Sequence, residues 1–573
     1  FQSRPSSSSA MTASVVLDPA ANLLPAKLWC RVFQYLTVVQ LRRIRLTCAH
    51  WKRLVDDDPT LMERVALRFL NGTNIDAKFR PKCVPPAARS AKFYECKIST
   101  VESWWPDIGR NLTALSLERC YVPISTLLGM LRRTLNLKRL VLDGVKHPPI
   151  FASAVVDFQL EQLEELTLLN VADPELLNLF CMLRSPLKKL AFNCAVPAGT
   201  SSKTSPEPLI RAVQDTEGTL EELRAPFDAP LMEALPTMGR LRLKRAAYSW
   251  GRGVAPILGF CKLQPALEEL DISELSATDL TFNEIATLLP NLRRLSVRFE
   301  WESTALVPSF LDAIPQLKAV SMEGPLHFKG TQKITKLGTF YCPALQEFRL
   351  NSFTIPLDDM CQFFTNNPQI TSVTLDQCKF GRWTDLLGAL KRLPHLQRLK
   401  LHKVWTPNWN DPAELDASNL KYLELTFMDI PEAALIKLLS YLPKLEQLDA
   451  QFVKFLNDRV VHKFCQRLPK LTKLTIRKCP ISDTSLHHIN LHCKSLEQLD
   501  LCQTSVLSQQ VVNQLKSRVE IVRFQPEPDL ASRVKEWTLI SVCLVLLYFM
   551  FQWYGFVGIA IVLPVFFVIE LLK

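Results

Sequence analysis

Histidine and cysteine side chains, the common protein ligands of zinc, cluster near the end of the chain. His487, His488, His492 and Cys493 are close in sequence, and His488 and His492 are four residues apart, on one face of a predicted helix. A zinc site needs further ligands in a defined geometry, and Cys493 also has a structural place in the repeat described below. The sequence contains no G-x-x-x-x-G-K-[ST], G-x-S-x-G or H-E-x-x-H motif. We therefore expect no metal, no cofactor and no catalytic site.

The pattern L-x-x-L-x-L recurs between residues 112 and 502, with first leucines mostly 24–26 residues apart. A period of this length is typical of stacked repeats. Alternate side chains of a strand point to opposite faces, so the leucines of L-x-L are predicted core and the residue between them points outward. Two weaker units are predicted at Leu243-Ala246-Tyr248 and, as an N-terminal cap, at Ala88-Ala91-Phe93.

The remainder of each unit predicts a helix that returns the chain to the next strand, as in residues 482–493. Proline two residues before the first leucine ends that helix and favours extended backbone. One unit cannot bury its own apolar face, so the units must stack. The predicted fold class is α/β, a solenoid with a strand and a helix in each repeat. Eight units carry this proline: Pro265, Pro290, Pro315, Pro343, Pro368, Pro394, Pro443 and Pro469.

Outward strand positions of the middle repeats are rich in cations. Most charges of a repeat protein are simply solvated, but a basic centre favours an acidic or phosphorylated protein target, because arginine forms bidentate contacts with such groups. We predict a target-binding face from these positions, with Asp449 and Asp500 near its end. The predicted residues are Arg294, Arg298, Arg349, Arg398, Lys400 and His402.

These features resemble the cysteine-containing class of leucine-rich repeats. The closest match is residues 471–501, where Cys479 lies eight residues after the first leucine and Cys493 precedes the next unit; Cys120 and Cys378 share the offset of Cys479. That class is widespread in F-box proteins, so the resemblance directs attention to the N-terminal segment.

Apolar residues at helical spacing follow Leu24-Pro25, and a second stretch from Leu41 to Leu54 predicts one further short amphipathic helix. The alternative to a docking module is a helical cap on the repeats. This segment resembles an F-box, because it contains L-P, V-F, Y-L, L and C-x-x-W in that order, from Leu24 to Trp51. It departs from the F-box pattern at Lys27 and Gln40, where acidic residues are usual, and at Met62, where tryptophan is frequent. The residues that the resemblance assigns to adaptor binding are Leu24, Pro25, Leu28, Val32, Phe33, Leu36, Leu41, Leu46, Cys48 and Trp51.

The resemblance implies a non-catalytic substrate-recognition subunit of an SCF-type ubiquitin ligase, with a Skp-family adaptor, a cullin and a protein target as partners. The alternative function is a membrane-anchored repeat scaffold that takes no part in ubiquitination. The lost acids mildly favour the scaffold, and the retained apolar set favours the ligase.

A run of 33 uncharged, mostly apolar residues lies between Glu536 and Glu570. As a helix it would extend roughly 50 Å, against about 30 Å for the hydrocarbon core of a bilayer. We therefore predict a membrane segment over residues 537–569, as one tilted span or as a hairpin turning at residues 552–558. Because few residues follow the run, we expect a tail anchor that holds the chain on the cytosolic face of the endoplasmic reticulum or another endomembrane.

Composition and charge complete the predicted organisation. The 573 residues carry a net charge of +12, but both signs alternate along the chain, which does not favour nucleic-acid binding. No secretory signal precedes the sixteen cysteines, so they are expected to be reduced thiols. We predict a disordered segment (1–20), an F-box (21–67), a linker with the capping repeat (68–111), the leucine-rich repeats with a C-terminal cap (112–525), a juxtamembrane linker (526–536) and the membrane segment (537–569).

Overall fold

The computed structural model describes residues 24–526, except 37, 70–71, 82–87, 148–155, 172–175, 177–178, 181–184, 195–206, 228, 249–254, 301–305, 326–330, 407–418, 505–506 and 517. The predicted disordered segment (1–20) and membrane segment (537–569) lie outside these residues. No helix within the described ranges has the length and apolar character needed to cross a bilayer. The chain divides into an N-terminal unit up to Thr354 and a C-terminal unit from Ile355.

Four short helices begin the N-terminal unit: α1 (Ala26–Gln34), α2 (Val38–Ile44), α3 (Ala49–Asp57) and α4 (Pro59–Glu63). The prediction of one helix from Leu41 to Leu54 is wrong. The chain turns after Ile44, and Cys48 has extended backbone (φ −152°, ψ 160°) and caps α3, with its sulfur accepting from the Trp51 N–H at 3.4 Å. Asp58 caps α4 in the same way, because its carboxylate accepts the N–H groups of Thr60 and Leu61.

The helical segment has a small core of its own. Phe33, Leu41, Val55, Leu61, Met62 and Val65 are buried, and Trp29, Leu36, Ile44, Trp51 and Leu54 pack against them. Met62 is fully buried where the resemblance has tryptophan, so this departure from the pattern is absorbed by apolar packing.

After the four helices the chain forms parallel strands, and a helix connects most of these strands to the next one. In the N-terminal unit the main sheet runs β1-β3-β5-β6-β7-β8-β9-β10-β11-β12-β13-β15, and β2–β4 and β14–β16 form two short parallel pairs. The strands are β1 (Ala66–Phe69), β2 (Asn74–Ile75), β3 (Ser90–Tyr94), β4 (Lys97–Ile98), β5 (Ala114–Glu118), β6 (Arg139–Asp143), β7 (Glu165–Val171), β8 (Lys189–Cys194), β9 (Glu222–Ala225), β10 (Arg245–Tyr248), β11 (Glu269–Ala277), β12 (Arg294–Phe299), β13 (Ala319–Glu323), β14 (Gln332–Lys333), β15 (Glu347–Asn351) and β16 (Phe353–Thr354).

The C-terminal unit carries one parallel sheet in chain order: β17 (Ser372–Asp376), β18 (Arg398–His402), β19 (Tyr422–Thr426), β20 (Gln447–Gln451), β21 (Lys473–Arg477), β22 (Gln498–Thr504) and β23 (Glu520–Pro526). The helices after α4, in both units, are α5 (Trp105–Gly109), α6 (Ile124–Arg132), α7 (Glu207–Asp215), α8 (Ala229–Ala234), α9 (Ala255–Leu263), α10 (Asp279–Leu288), α11 (Phe310–Ala313), α12 (Leu357–Asn366), α13 (Trp383–Leu390), α14 (Glu432–Ser440), α15 (Asp458–Arg467), α16 (Asp483–His492) and α17 (Gln509–Lys516). Leu235–Thr237 and Leu337–Thr339 are 3-10 turns.

The strand register confirms the repeat. Leu399, Leu423, Leu448 and Leu474 are direct partners on successive strands, and each is buried. Both weak units are strands: Ala246 and Tyr248 lie on β10, and Ala91 and Phe93 lie on β3. An additional strand, β1, pairs with β3 and begins the sheet directly after the four helices.

Candidate protein-docking surfaces

One face of α1 exposes large apolar side chains. Leu24, Leu28, Val32 and Tyr35 follow one another at intervals of three or four residues, so they lie on the same side of the helix and its immediate flanks. Their exposed fractions are 39%, 43%, 44% and 91%, and Leu46, in the turn between α2 and α3, is 86% exposed. A contiguous group of exposed apolar side chains marks a surface that a partner covers. We call Leu24, Leu28, Val32 and Tyr35 the α1 face.

The residues that the F-box resemblance assigns to adaptor binding divide into surface and core. Leu24, Pro25, Leu28, Val32 and Leu46 are exposed. Buried Phe33 and Leu41 offer no surface to a partner and instead hold the helices together, and Leu36 and Trp51 pack against that core. Tyr35 belongs to the surface but was missing from the assignment; its helical spacing from Leu28 and Val32 was a signal that could have included it.

Polar contacts fix the helices that carry the α1 face. Arg45 and Asp56 form a bidentate ion pair, with nitrogen–oxygen distances of 2.5 and 3.1 Å, that ties the turn after α2 to α3. Arg64, after α4, donates to the backbone oxygens of Gln34 and Leu36 at 2.9 and 2.5 Å. These hydrogen bonds connect the end of α1 to the end of α4, and the α1 face lies above the buried core of the helical segment.

The cations predicted as a target-binding face are mostly paired with carboxylates on neighbouring strands. In the N-terminal unit, Arg294 contacts Glu347 at 3.0 Å and Glu269 at 3.5 Å. Arg298, only 8% exposed, pairs with Glu323 at 2.8 Å. Arg349 is exposed and has no ion-pair partner among the described residues. The neighbouring carboxylates therefore offset much of the positive charge that the sequence suggests.

The same pairing occurs in the C-terminal unit. Lys400 contacts Glu424 at 3.0 Å, and His402 Nδ1 lies 2.6 Å from Asp376. Arg398 stacks on the ring of Tyr422, with its guanidinium carbon 4.7 Å from the ring centre. Burial raises the pKa of Asp449, more than the hydrogen bond from Gln451 lowers it, and the neighbouring charge of Glu424 raises it further. This strand face is of mixed charge.

A second surface lies where successive strands of the C-terminal unit end. Lys403, Phe427, Phe452 and Lys478 each follow a strand directly and adopt left-handed backbone, with φ of 47°, 52°, 53° and 51°. This conformation costs a residue with a side chain roughly 1–2 kcal/mol. The backbone N–H of each donates to the next strand at 2.9 Å, so the hydrogen-bond ladder continues while the chain turns out of the sheet.

The side chains of these four residues form a stack, which we call the aromatic ledge. The rings of Phe427 and Phe452 lie 4.1 Å apart and nearly parallel, at 14°. Lys403 Nζ lies 5.2 Å from the ring centre of Phe427, and Lys478 Nζ lies 4.5 Å from that of Phe452. The phenylalanines remain 43% and 36% exposed. Exposed aromatic rings on strained backbone, flanked by cations, are a typical composition of a binding surface.

The structure brings together a different set of potential metal ligands from the cluster predicted from the sequence. His488 and His492 lie together with His462 of the preceding helix. His487 is exposed, and Cys493 is buried and shares a hydrogen bond with the free Cys465 thiol. Partial burial, followed by the charges of His462 and His492, lowers the pKa of His488. The signal that could have revealed His462 is its distance of 26 residues from His488, about one repeat.

Comparison with known proteins supports the N-terminal assignment. Residues 21–68 match the F-box-like family model. No curated protein matches the sequence. Similar solved structures include an internalin (inlF) from Listeria monocytogenes, with 13% identity, coverage of 69% of this chain and 81% of that chain, and a TM-score of 0.32. The TLR13–ssRNA13 complex shares 15% identity over 77% of this chain and 63% of that chain, with a TM-score of 0.36. The mouse RP105/MD-1 complex shares 16% identity over 80% and 82%, with a TM-score of 0.33.

These structural likenesses are too distant to carry a functional argument. The assignment rests on the matched segment, the buried helical core and the strand–helix period of 24–26 residues. The chain therefore combines an F-box-like domain at residues 21–68 with a long series of leucine-rich repeats.

Proposed function

We propose that this chain is the substrate-recognition subunit of an SCF-type ubiquitin ligase. In this proposal the F-box-like domain binds a Skp-family adaptor, which links it to a cullin, and the repeats hold a protein target. The apolar run at residues 537–569 holds the assembly at a membrane. The chain itself performs no chemistry, since its part is to bring a target close to a ubiquitin-charged partner.

The observation that carries this proposal is the exposed α1 face on an F-box-like domain. Covering a half-exposed leucine or valine contributes about 1 kcal/mol of transfer free energy, since full burial gives roughly 1.5–3 kcal/mol. Tyr35 adds a large ring with a hydroxyl group, a side-chain type enriched at binding hot spots. The α1 face thus supplies an apolar contact surface on a packed helical core.

For the target, we propose the aromatic ledge as the principal contact. Its two lysines have no carboxylate partner among the described residues, whereas Arg294, Arg298 and Lys400 do. An acidic or phosphorylated segment with an apolar side chain beside its negative group would meet both features, the apolar group on the rings and the charge on a lysine. Arg349 and Arg398 stay in the proposal as exposed cations without a carboxylate partner in the described part of the chain.

Assembly with both partners tests the ligase proposal. The full chain, extracted with detergent, should co-purify with the Skp-family adaptor and the cullin in equal amounts, and removal of residues 21–68 should abolish both. The alternative, a scaffold outside ubiquitination, is favoured by exposed Lys27 where the F-box pattern has an acid. Recovery of the intact chain with neither partner would support the scaffold and contradict the ligase.

A further inference from the structure

Three histidines from two successive helices meet at the surface of the C-terminal unit. His462 lies on α15, and His488 and His492 lie on α16. One ring nitrogen of each lies within 4.8 Å of the others, and the Nδ1 atoms of His462 and His488 are 3.1 Å apart. All three residues are half-exposed.

This geometry suits a tetrahedral ion. Zinc–nitrogen bonds of about 2.0–2.1 Å at tetrahedral angles place two ligand nitrogens about 3.3 Å apart. The pair His462–His488 already has nearly this separation. His488 and His492 are four residues apart on one helix face, an arrangement that other zinc sites use. The third nitrogen, on half-exposed His492, lies within 4.8 Å of the other two, so the proposed site requires a small movement of that side chain.

A neighbouring amide orients one of the rings. The Gln466 side-chain amide nitrogen lies 3.3 Å from His462 Nε2, four residues earlier on α15. The oxygen and nitrogen of a glutamine amide exchange places by rotation, and with the oxygen facing the ring it accepts the proton on Nε2. Nδ1 of His462 then carries a free lone pair directed at His488. Metal-bound histidines are commonly oriented by an outer partner of this kind.

We propose that His462, His488 and His492 form a binding site for a divalent ion of the zinc class. The ion joins the helices of two successive repeats and keeps a fourth position open for water or for a ligand from a partner. Histidine nitrogens select zinc, copper and nickel over magnesium and calcium. The proposal is independent of the ligase function, because these histidines lie on α15 and α16 and none of them belongs to the α1 face or to the aromatic ledge.

Two buried thiols, each within three residues of one of these histidines in sequence, provide the competing metal site. Cys465 and Cys493 are 3% and 2% exposed and hydrogen-bonded to each other. A metal held by these sulfurs would differ in its spectrum, because thiolate ligands give intense charge-transfer absorption that histidine ligands lack. Cobalt(II) distinguishes the two, since it replaces zinc in tetrahedral sites and its visible bands report the ligands.

The test is a cobalt(II) titration of the full chain in detergent, followed by zinc competition. The wild-type chain should bind one tetrahedral cobalt without thiolate charge transfer. His462→Ala, His488→Ala and His492→Ala should each lose more than 100-fold in affinity. Gln466→Ala should lose roughly 10–100-fold, as an outer partner does. His487→Ala, an exposed neighbour outside the group, should stay within about twofold.

Zinc should also raise the unfolding temperature of the wild-type chain but not of His462→Ala, whose circular dichroism should match the wild type because its side chain lies at the surface. Three results would each overturn the proposal. They are no stoichiometric uptake by the wild-type chain, wild-type affinity in His462→Ala, or a thiolate spectrum that persists in all three histidine variants.

Discussion

At the residue scale, the type of a side chain does not determine whether it lies in the core or on a binding surface. Phe33 looks like a docking residue in the sequence, yet it is buried, and Tyr35 two positions later is almost fully exposed. The predicted strand-face cations look free in the sequence, yet Arg294, Arg298 and Lys400 each have a carboxylate from another strand beside them. Both distinctions depend on which neighbours the fold supplies, so a pattern of residue types could not settle them.

Left-handed backbone at Lys478 should weaken the fold. Lys478→Gly should raise the free energy of unfolding by about 1 kcal/mol, because glycine adopts φ of 51° without steric cost. The matched control is Lys473→Gly, which replaces an exposed lysine within β21. This change should lower the free energy of unfolding by roughly 0.5–1 kcal/mol, because glycine weakens a strand. Chemical denaturation measures both. If Lys478→Gly lost as much stability as the control, the left-handed backbone at Lys478 would not be strained.

Asp449 should make stability depend on pH. Its folded-state pKa is raised above the ordinary value, so the charged form opposes folding, and stability falls as pH rises from the ordinary Asp pKa through the raised one. Asp449→Asn should therefore melt at a higher temperature than the wild type at pH 7. The difference should vanish at a pH below the ordinary Asp pKa. A variant less stable than the wild type at neutral pH would show that the carboxylate is stabilising.

At the element scale, the repeat pattern predicted the strands well because each L-x-L contributes two buried side chains at a fixed register. Even the degenerate unit at Leu243-Ala246-Tyr248 forms a strand. The turn between α2 and α3 was missed because apolar residues continue through it at helical spacing. The contribution of His462 to the histidine group was missed because it depends on the offset between neighbouring helices, which the pattern of one unit does not contain.

The core of the F-box-like domain should depend on Phe33. Phe33→Ala should destabilise the four-helix segment by about 3–5 kcal/mol, the usual cost of truncating a buried phenylalanine, and should speed amide hydrogen exchange in α1 and α3. The adjacent Val32→Ala, which changes a 44% exposed side chain, should leave the exchange nearly unchanged. Equal protection in both variants would show that Phe33 is not part of this core. Because Phe33→Ala changes the core, a loss of adaptor binding in this variant would not show where the adaptor docks. Substitutions of exposed residues such as Leu28 and Tyr35 test adaptor binding directly.

At the scale of the whole molecule, an F-box-like domain followed by leucine-rich repeats was predictable, and the contacts that their surfaces make were not. The F-box resemblance and the matched family segment agree to within one residue at the C-terminal end, 67 against 68. The aromatic ledge had no sequence signal, because it depends on left-handed residues from four consecutive strands lying side by side. Membrane attachment depends on residues 537–569 and stays a prediction.

Deleting residues 537–573 should release the protein from membranes while adaptor binding persists. The motivating observation is the charge-free run of 33 residues, which is longer than the hydrocarbon core of a bilayer requires. Extraction with alkaline carbonate is the measurement: the full chain should stay in the membrane pellet, and the truncated chain should move to the supernatant. The anchor prediction fails if the full chain is released as completely as the truncated one.

The affinity of the full chain for a Skp-family adaptor tests the central claim most directly. Leu28→Asp with Tyr35→Ala should weaken binding by at least about 100-fold, because charge enters an apolar contact and a ring is lost. Leu280→Asp, which places the same change at an exposed first-turn position of α10, should bind as the wild type does. Aspartate suits the first turn of a helix, so both proteins should fold. Wild-type affinity in the double variant would contradict the account.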